Sequence, residues 1–165
     1  MFHKLIINIA LSIFAFVFVT YPAVSQLPTS DSNERDNSES EISYEDLLNA
    51  AIYNNRGSIS GVKEEWNSAL QDFNRAIELD PNLPEAYLNR GLLYTTLEQW
   101  DNALQDFDRA IEIKPELDTT YIYRGYIYGL QKNFDKALTD LDRAISLDEQ
   151  NSHAYHVRSG IYILY

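Results

Sequence analysis

From Ala50 onward, apolar and small residues recur at spacings of three and four. Tyr87, Gly91 and Tyr94 fall on one helical face, and after a short polar break Ala103, Phe107 and Ala110 fall on another. Pro84 suits the first turn of a helix, where its missing N–H leaves no bond unmade, while Pro81 and Pro115 end a second helix and turn the chain onward. The pattern predicts pairs of antiparallel helices. A shift of 34 residues superposes the chain on itself: the segments from Trp66 to Pro81, Trp100 to Pro115 and Phe134 to Glu149 are copies of one another. The preceding helix repeats as well, through Tyr53, Tyr87, Tyr121 and Tyr155 and through Arg56, Arg90, Arg124 and Arg158. The units are 50–83, 84–117 and 118–151, followed by half a unit, 152–165. One hairpin cannot cover its own apolar faces, so the expected fold is all-α, a solenoid of stacked antiparallel helix pairs. Within it, Gly91 and Ala103 are expected to let two helices approach closely, with Phe107 and Tyr94 filling the wider gaps between hairpins.

The chain before this region follows neither period. Lys4 precedes an apolar run, Leu5 to Val19, broken only by Asn8 and Ser12. At about 1.5 Å per residue it falls short of a hydrocarbon core of roughly 30 Å, which is the length expected of a signal segment. Ala23-Val24-Ser25 places small residues where a signal peptidase reads, with cleavage expected before Gln26. Residues 1–25 are therefore expected to be a signal peptide or an uncleaved signal anchor. Both predict an exported protein, periplasmic or secreted, with membrane attachment only through the uncleaved form. Residues 26–43 have too little apolar surface to offset their ordering entropy and are expected to be an acidic flexible linker. A helical pattern starts at Ser43, with Asp46 three residues on in near capping-box spacing, so the folded domain is placed at 44–165.

Composition narrows the chemistry. Thirteen Lys and Arg face 25 Asp and Glu, a net charge of −12, whose field repels phosphate backbones and excludes nucleic acid as an expected partner. The absence of cysteine removes disulfides, thiolate metal sites and a cysteine nucleophile together. His153 and His156 lie three apart on one helix, but no convergent carboxylate accompanies them, so no metal site is assigned. No nucleophile and base pairing, phosphate-cradling glycine loop or nucleotide fingerprint is present. Neither enzyme activity nor a cofactor is expected.

The 34-residue unit resembles the tetratricopeptide repeat family, whose pattern places an aromatic, Gly and Tyr in the first helix and Ala, Phe, Ala and Pro in the second. Unit two matches at Tyr87, Gly91, Tyr94, Ala103, Phe107, Ala110 and Pro115. Unit one matches at Tyr53, Gly57, Ala69, Phe73, Ala76 and Pro81 but has Ser60 for Tyr, and Gly57, Ser58 and Gly61 are expected to weaken its first helix. Unit three matches at Tyr121, Gly125, Tyr128, Ala137 and Ala144, with Leu141 for Phe and Glu149 for Pro. The resemblance implies a right-handed superhelix with a concave groove, lined by the first helices, that binds a peptide or protein. In the best-known chaperone-binding members, Lys and Asn side chains clamp a C-terminal carboxylate. The lysine positions correspond here to Asn54 and Thr119, the first-unit asparagine to Ser58 and the arginine to Tyr123, and only Asn89 matches. A carboxylate-clamp chaperone is therefore not the expected partner.

The groove is expected to present Asn54, Asn55, Leu88, Asn89, Leu92, Ile122, Tyr123, Tyr126 and His156, with Val157 beside it. Asn pairs with extended backbone and Tyr offers rigid area with a polar tip, which suits an uncharged, partly apolar peptide. Leu88 and Ile122 either line that groove or pack against neighbouring first helices. Arg56, Arg90 and Arg124 precede Asp72, Asp106 and Asp140 by 16 residues, which predicts an ion pair within each unit. Glu78 and Glu112 are assigned to a solvated face. The last helix poses a separate question. Ile161, Tyr162, Ile163, Leu164 and Tyr165 are apolar all round, unlike a polar cap, so this end is expected to be a poor cap, an interaction surface, a self-association surface or a truncation. The functional expectation is an exported, non-catalytic protein-interaction scaffold. The alternatives are a peripheral subunit that positions an envelope enzyme, or a truncated, self-associating fragment.

Overall fold

The computed structural model describes residues 42–164. The expected signal segment and nearly all of the expected linker lie outside the described residues. Within them the chain is helical throughout: α1 (Tyr44–Val62), α2 (Trp66–Leu79), α3 (Pro84–Thr96), α4 (Trp100–Ile113), α5 (Asp118–Leu130), α6 (Phe134–Leu147) and α7 (Ser152–Leu164). These make three antiparallel pairs and the first helix of a fourth. Ser43 caps α1 as its spacing predicts, its Oγ accepting from the Asp46 N–H at 3.0 Å. Pro84 opens α3. None of the described helices is long and apolar enough to cross a membrane.

Each pair closes on a small residue. A Cβ built on Gly57 would stand 2.8 Å from the Phe73 ring, and one on Gly91 would stand 2.6 Å from the Phe107 ring. Gly125 is equally close-set, 3.0 Å from the Ala137 carbonyl and 3.2 Å from Leu141 Cγ. The partner of Gly91 is thus the aromatic ring rather than Ala103, which is buried beside it. Gly57 sits in an unbroken α1, so its packing against Phe73 offsets the helix propensity it lacks. The buried alanines of the second helices, Ala69, Ala76, Ala103, Ala110, Ala137 and Ala144, bring the paired axes together along their length.

The turn inside each unit is the same device used three times. Glu64, Glu98 and Lys132 adopt φ values of 61°, 57° and 60°. Around Glu98, the Gln99 N–H reaches the Tyr94 carbonyl at 2.8 Å and the Glu98 N–H reaches the Thr95 carbonyl at 3.1 Å. This double bond pattern closes a helix through a left-handed residue, a position that suits glycine best. The turn between units uses a different residue. Asp80 and Asp148 each bond their own backbone two residues on, at 2.9 Å to the Asn82 and Gln150 N–H groups. Helices α2 and α6 therefore end alike at Leu79 and Leu147, although Pro81 follows the first and Glu149 stands in its place after the second.

Curvature follows from which helices touch. Among the described residues α1, α3 and α5 each contact the next first helix directly, whereas α2, α4 and α6 do not contact one another. The first helices therefore line the inner side of the curve and the second helices fan out on the outer side.

Two stability outcomes follow. Glu98→Gly should raise unfolding free energy by about 1 kcal/mol in a urea titration, since a side chain in left-handed backbone is strained. Gly91→Val should lower it by about 2–3 kcal/mol through overpacking, while Gly91→Ala combined with Phe107→Leu, leucine being the residue unit three has at that position, should lose less than Gly91→Ala alone.

Candidate functional site

The inner face is built by four first helices, and its polar centre lies between α1 and α3. Asn89 donates to Asn54 Oδ1 at 2.9 Å and to Ser58 Oγ at 3.3 Å, and Ser58 in turn donates to the Asn54 carbonyl at 3.0 Å. Asn54 and Asn89 are both buried, and both Asn89 amide hydrogens are used inside the protein. The amides expected to face a ligand instead join two neighbouring units.

The apolar residues divide in the same way. Leu88 and Leu92 are buried with Ala103, Phe107, Tyr123 and Ile127, and Ile122 is buried in the adjoining cluster with Leu141 and Ala154. Of the two possibilities for Leu88 and Ile122, the structure places both in packing between helices. Tyr123 is held by two rings, stacked on Phe107 at 6.2 Å and edge-on to His153 at 5.9 Å. Burial pushes the phenol of Tyr123 above its ordinary range, and burial acts in the same direction on Tyr126. Tyr126 is only half-buried and keeps part of its ring on the surface, while Asn55 and His156 are exposed. The accessible members of the expected set are thus Tyr126 near the middle of the array, Asn55 toward one end and His156 toward the other.

The arginines are structural, with a partner the 16-residue forward spacing does not reveal. Arg56, Arg90 and Arg124 each donate through Nε to the acid of their own unit, at 2.7 Å to Asp72, 2.8 Å to Asp106 and 2.8 Å to Asp140. Arg90 and Arg124 also reach back with Nη1 into the preceding unit, to Asn74 at 2.7 Å and Asp108 at 2.6 Å. Among the described residues Arg158 makes the backward bond alone, to Asp142 at 2.6 Å. A second 16-residue spacing, counted backward, carries this signal in the sequence. Each guanidinium also lies over the tyrosine three residues before it, at 4.8 Å for Tyr53, 5.7 Å for Tyr87, 5.6 Å for Tyr121 and 5.2 Å for Tyr155. The charged partners hold the Arg124 guanidinium above its ordinary range, with the Asp140 hydrogen bond the largest cause. On the outer side Glu78 and Glu112 meet Arg75 and Arg109 in exposed pairs at 2.8 Å and 3.1 Å. These are weak surface contacts on the solvated face.

The last helix needs one correction. Ile161 is not part of an exposed apolar end: it is buried, with its side chain over Gly129 of α5. Tyr162 and Ile163 are exposed, and the side chains of Leu164 and Tyr165 lie outside the described residues. Among the described residues no group of three metal-ligating side chains converges. His153 is half-buried, and desolvation first and the charge of His156 second lower its pKa from the ordinary 6.5. Its protonation opposes folding, so the associated stability is complete above about pH 6.5 and is lost as the pH falls below that value. The melting temperature should therefore drop on acidification from about pH 8 to about pH 5, and His153→Gln should remove part of that drop, as a calorimetric pH series would record.

The comparisons with known proteins agree with this geometry. The tetratricopeptide repeat family model matches residues 58–122, and a second tetratricopeptide repeat model matches residues 119–151. No curated protein sequence matches. Among solved structures, the Arabidopsis OM64 TPR domain superposes with a TM-score of 0.70 at 22% identity, over 73% of this chain and 99% of that one. The first TPR of Spaghetti (RPAP3), bound to HSP90 peptide SRMEEVD, gives a TM-score of 0.69 at 19% identity over 72% of this chain and 94% of that one. The TPR2B domain of yeast Sti1, in complex with an Hsp70 peptide, gives 0.67 at 22% identity over 72% and 99%.

Proposed function

Because the chain belongs to the tetratricopeptide repeat family, we propose that it is a non-catalytic interaction scaffold that holds a peptide or protein segment along its inner face. The observation that carries this reading is the direct contact of successive first helices, which sets one continuous inner surface with Tyr126 at its middle. The similar domains of RPAP3 and Sti1 are described in complex with chaperone peptides, which supports peptide binding as the use of such a face.

The ligand we propose is an uncharged, partly apolar segment rather than an acidic terminus. The arginines of the first helices are engaged by aspartates of this protein, and Asn89 is engaged by Asn54 and Ser58. Nothing basic stands at Asn54, Thr119 or Tyr123 to receive a carboxylate. A net charge of −12 adds long-range repulsion of acidic peptides. Tyr126, Asn55 and His156 supply the accessible contacts, with Tyr126 the anchor because a rigid aromatic with a polar tip yields the most area per ordered bond. We also propose that the scaffold works outside the cytoplasm, on the strength of the Leu5 to Val19 run and Ala23-Val24-Ser25.

Panning a random peptide library on the purified chain tests the ligand class. Enriched peptides should lack net charge, and Tyr126→Ala should weaken them about tenfold while the chain stays folded with a modestly lower melting temperature, Tyr126 being packed in part on the Leu92 and Phe107 cluster. The peptide SRMEEVD should not bind below about 1 mM. Micromolar binding of SRMEEVD, or selected peptides indifferent to Tyr126→Ala, would sink the proposed ligand class and the proposed anchor respectively.

A further inference from the structure

Helix α1 carries an apolar stripe on the side turned away from the rest of the fold. At about 100° per residue, Leu48, Ile52, Asn55, Ile59 and Val62 fall within about 80° of arc, opposite Ala50 and Gly57, which face α2. Among the described residues α1 contacts α2 and α3 alone. Leu48 is 47% exposed, Ile52 51%, Ile59 49% and Val62 52%, and Asn55 between them is exposed as well. A row of aliphatic side chains left this open to water marks a contact surface.

The stripe does not suit a further unit of the array. The position of Ile52 is held in the later first helices by Ala86, Thr120 and Ala154, and that of Ile59 by Leu93, Ile127 and Ile161, all of them buried. Ala86 packs with Ala76 of the preceding second helix, a close seat that the larger side chain of Ile52 would hold apart. The spacing of the stripe, four, three, four and three residues, is instead that of the seam between two helices lying side by side. The seam is uncharged as well. Arg56 is the one charged residue from Leu47 to Val62, and it is bound to Asp72, so two copies of a chain with a net charge of −12 meet here without like charges facing each other.

We propose that this stripe is a homodimer interface with Asn55 on its two-fold axis. Asn55 is the midpoint of the seam, seven residues from Leu48 and seven from Val62. A two-fold axis that lays the stripe on itself therefore brings Asn55 against the same residue of a second copy, whether the helices run parallel or antiparallel. An amide is its own complement, each carbonyl accepting from the other's N–H, and in a seam closed to water that pairing fixes the register. The one polar residue of the stripe thus suits a second copy and disfavours an apolar partner, which would leave the amide unpaired. Helix α1 is already held in shape by α2, so association orders no backbone. The inference is separate from the proposed groove: the second copy covers Asn55, while the anchor Tyr126 lies on α5.

Light scattering across a concentration series, on the full chain and on the form beginning at Gln26, tests this. The mass of both should rise from one chain to two between about 1 and 100 μM, the range expected of so short a seam. Ile52→Glu combined with Ile59→Glu should weaken the association at least about a hundredfold and keep the helical circular dichroism, because both side chains are exposed. Asn55→Asp and Asn55→Lys should each stay single alone and pair when mixed. The chain has no cysteine, so Asn55→Cys supplies a sole thiol, and mild oxidation should link two chains through it. A single-chain mass in both forms at about 100 μM overturns the proposal, as does a dimer indifferent to the Ile52→Glu and Ile59→Glu pair. A dimer of the full chain alone would belong to the Leu5 to Val19 run, and a dimer of the Gln26 form alone would make that run the occupant of the stripe in the full chain; either result overturns it equally.

Discussion

The approach of two helices at one small residue governs the rest of this molecule. Gly57, Gly91 and Gly125 lie so close to Phe73, Phe107 and Leu141 that the pair can close only where a side chain is missing. That closeness brings Arg and Asp side chains within 3 Å of each other, 16 residues apart in sequence. It also narrows each unit enough for the tyrosine of one to reach the ring of the last, as Tyr123 does on Phe107. Packing therefore comes first here, and the electrostatics are arranged by it.

The arginines then convert separate hairpins into one body. Arg90 and Arg124 each hold their own unit and the one before it, so the coupling between neighbours is built into the same side chain that closes the pair. Stability in such an array is a sum of unit and interface contributions, and the interfaces here are both apolar and charged. The two ends differ. Among the described residues Arg56 bonds forward to Asp72 of its own unit, and Arg158 bonds backward to Asp142 of the preceding one.

Most of this architecture is legible in the chain because a 34-residue period repeats both the apolar spacing and the charges. The helix pairs, the Ser43 cap, Pro84 at the start of α3 and the Arg–Asp pairs of each unit all rest on local patterns of that kind. The backward bonds to Asn74, Asp108 and Asp142 were equally periodic, but they cross unit boundaries, and a pattern read one unit at a time does not expose them. The inner face was harder to read. Leu88, Leu92, Ile122 and Tyr123 share a helical face with accessible positions, and only the angle between successive first helices decides which of them a neighbour covers. Ile161 misled for a similar reason, since Gly129 on a different helix makes the space it fills.

The seam of direct contact between α1, α3, α5 and α7 also sets how the array can deform. A curved stack with touching ribs on the inside and separated ribs on the outside bends most easily where the ribs are apart. Tightening or relaxing the curve displaces α2, α4 and α6 furthest and leaves the spacing along the inner seam nearly constant. The acidic outer flank can therefore breathe while the distances between Asn55, Tyr126 and His156 stay close to fixed, giving the chain a compliant back and a stiff face.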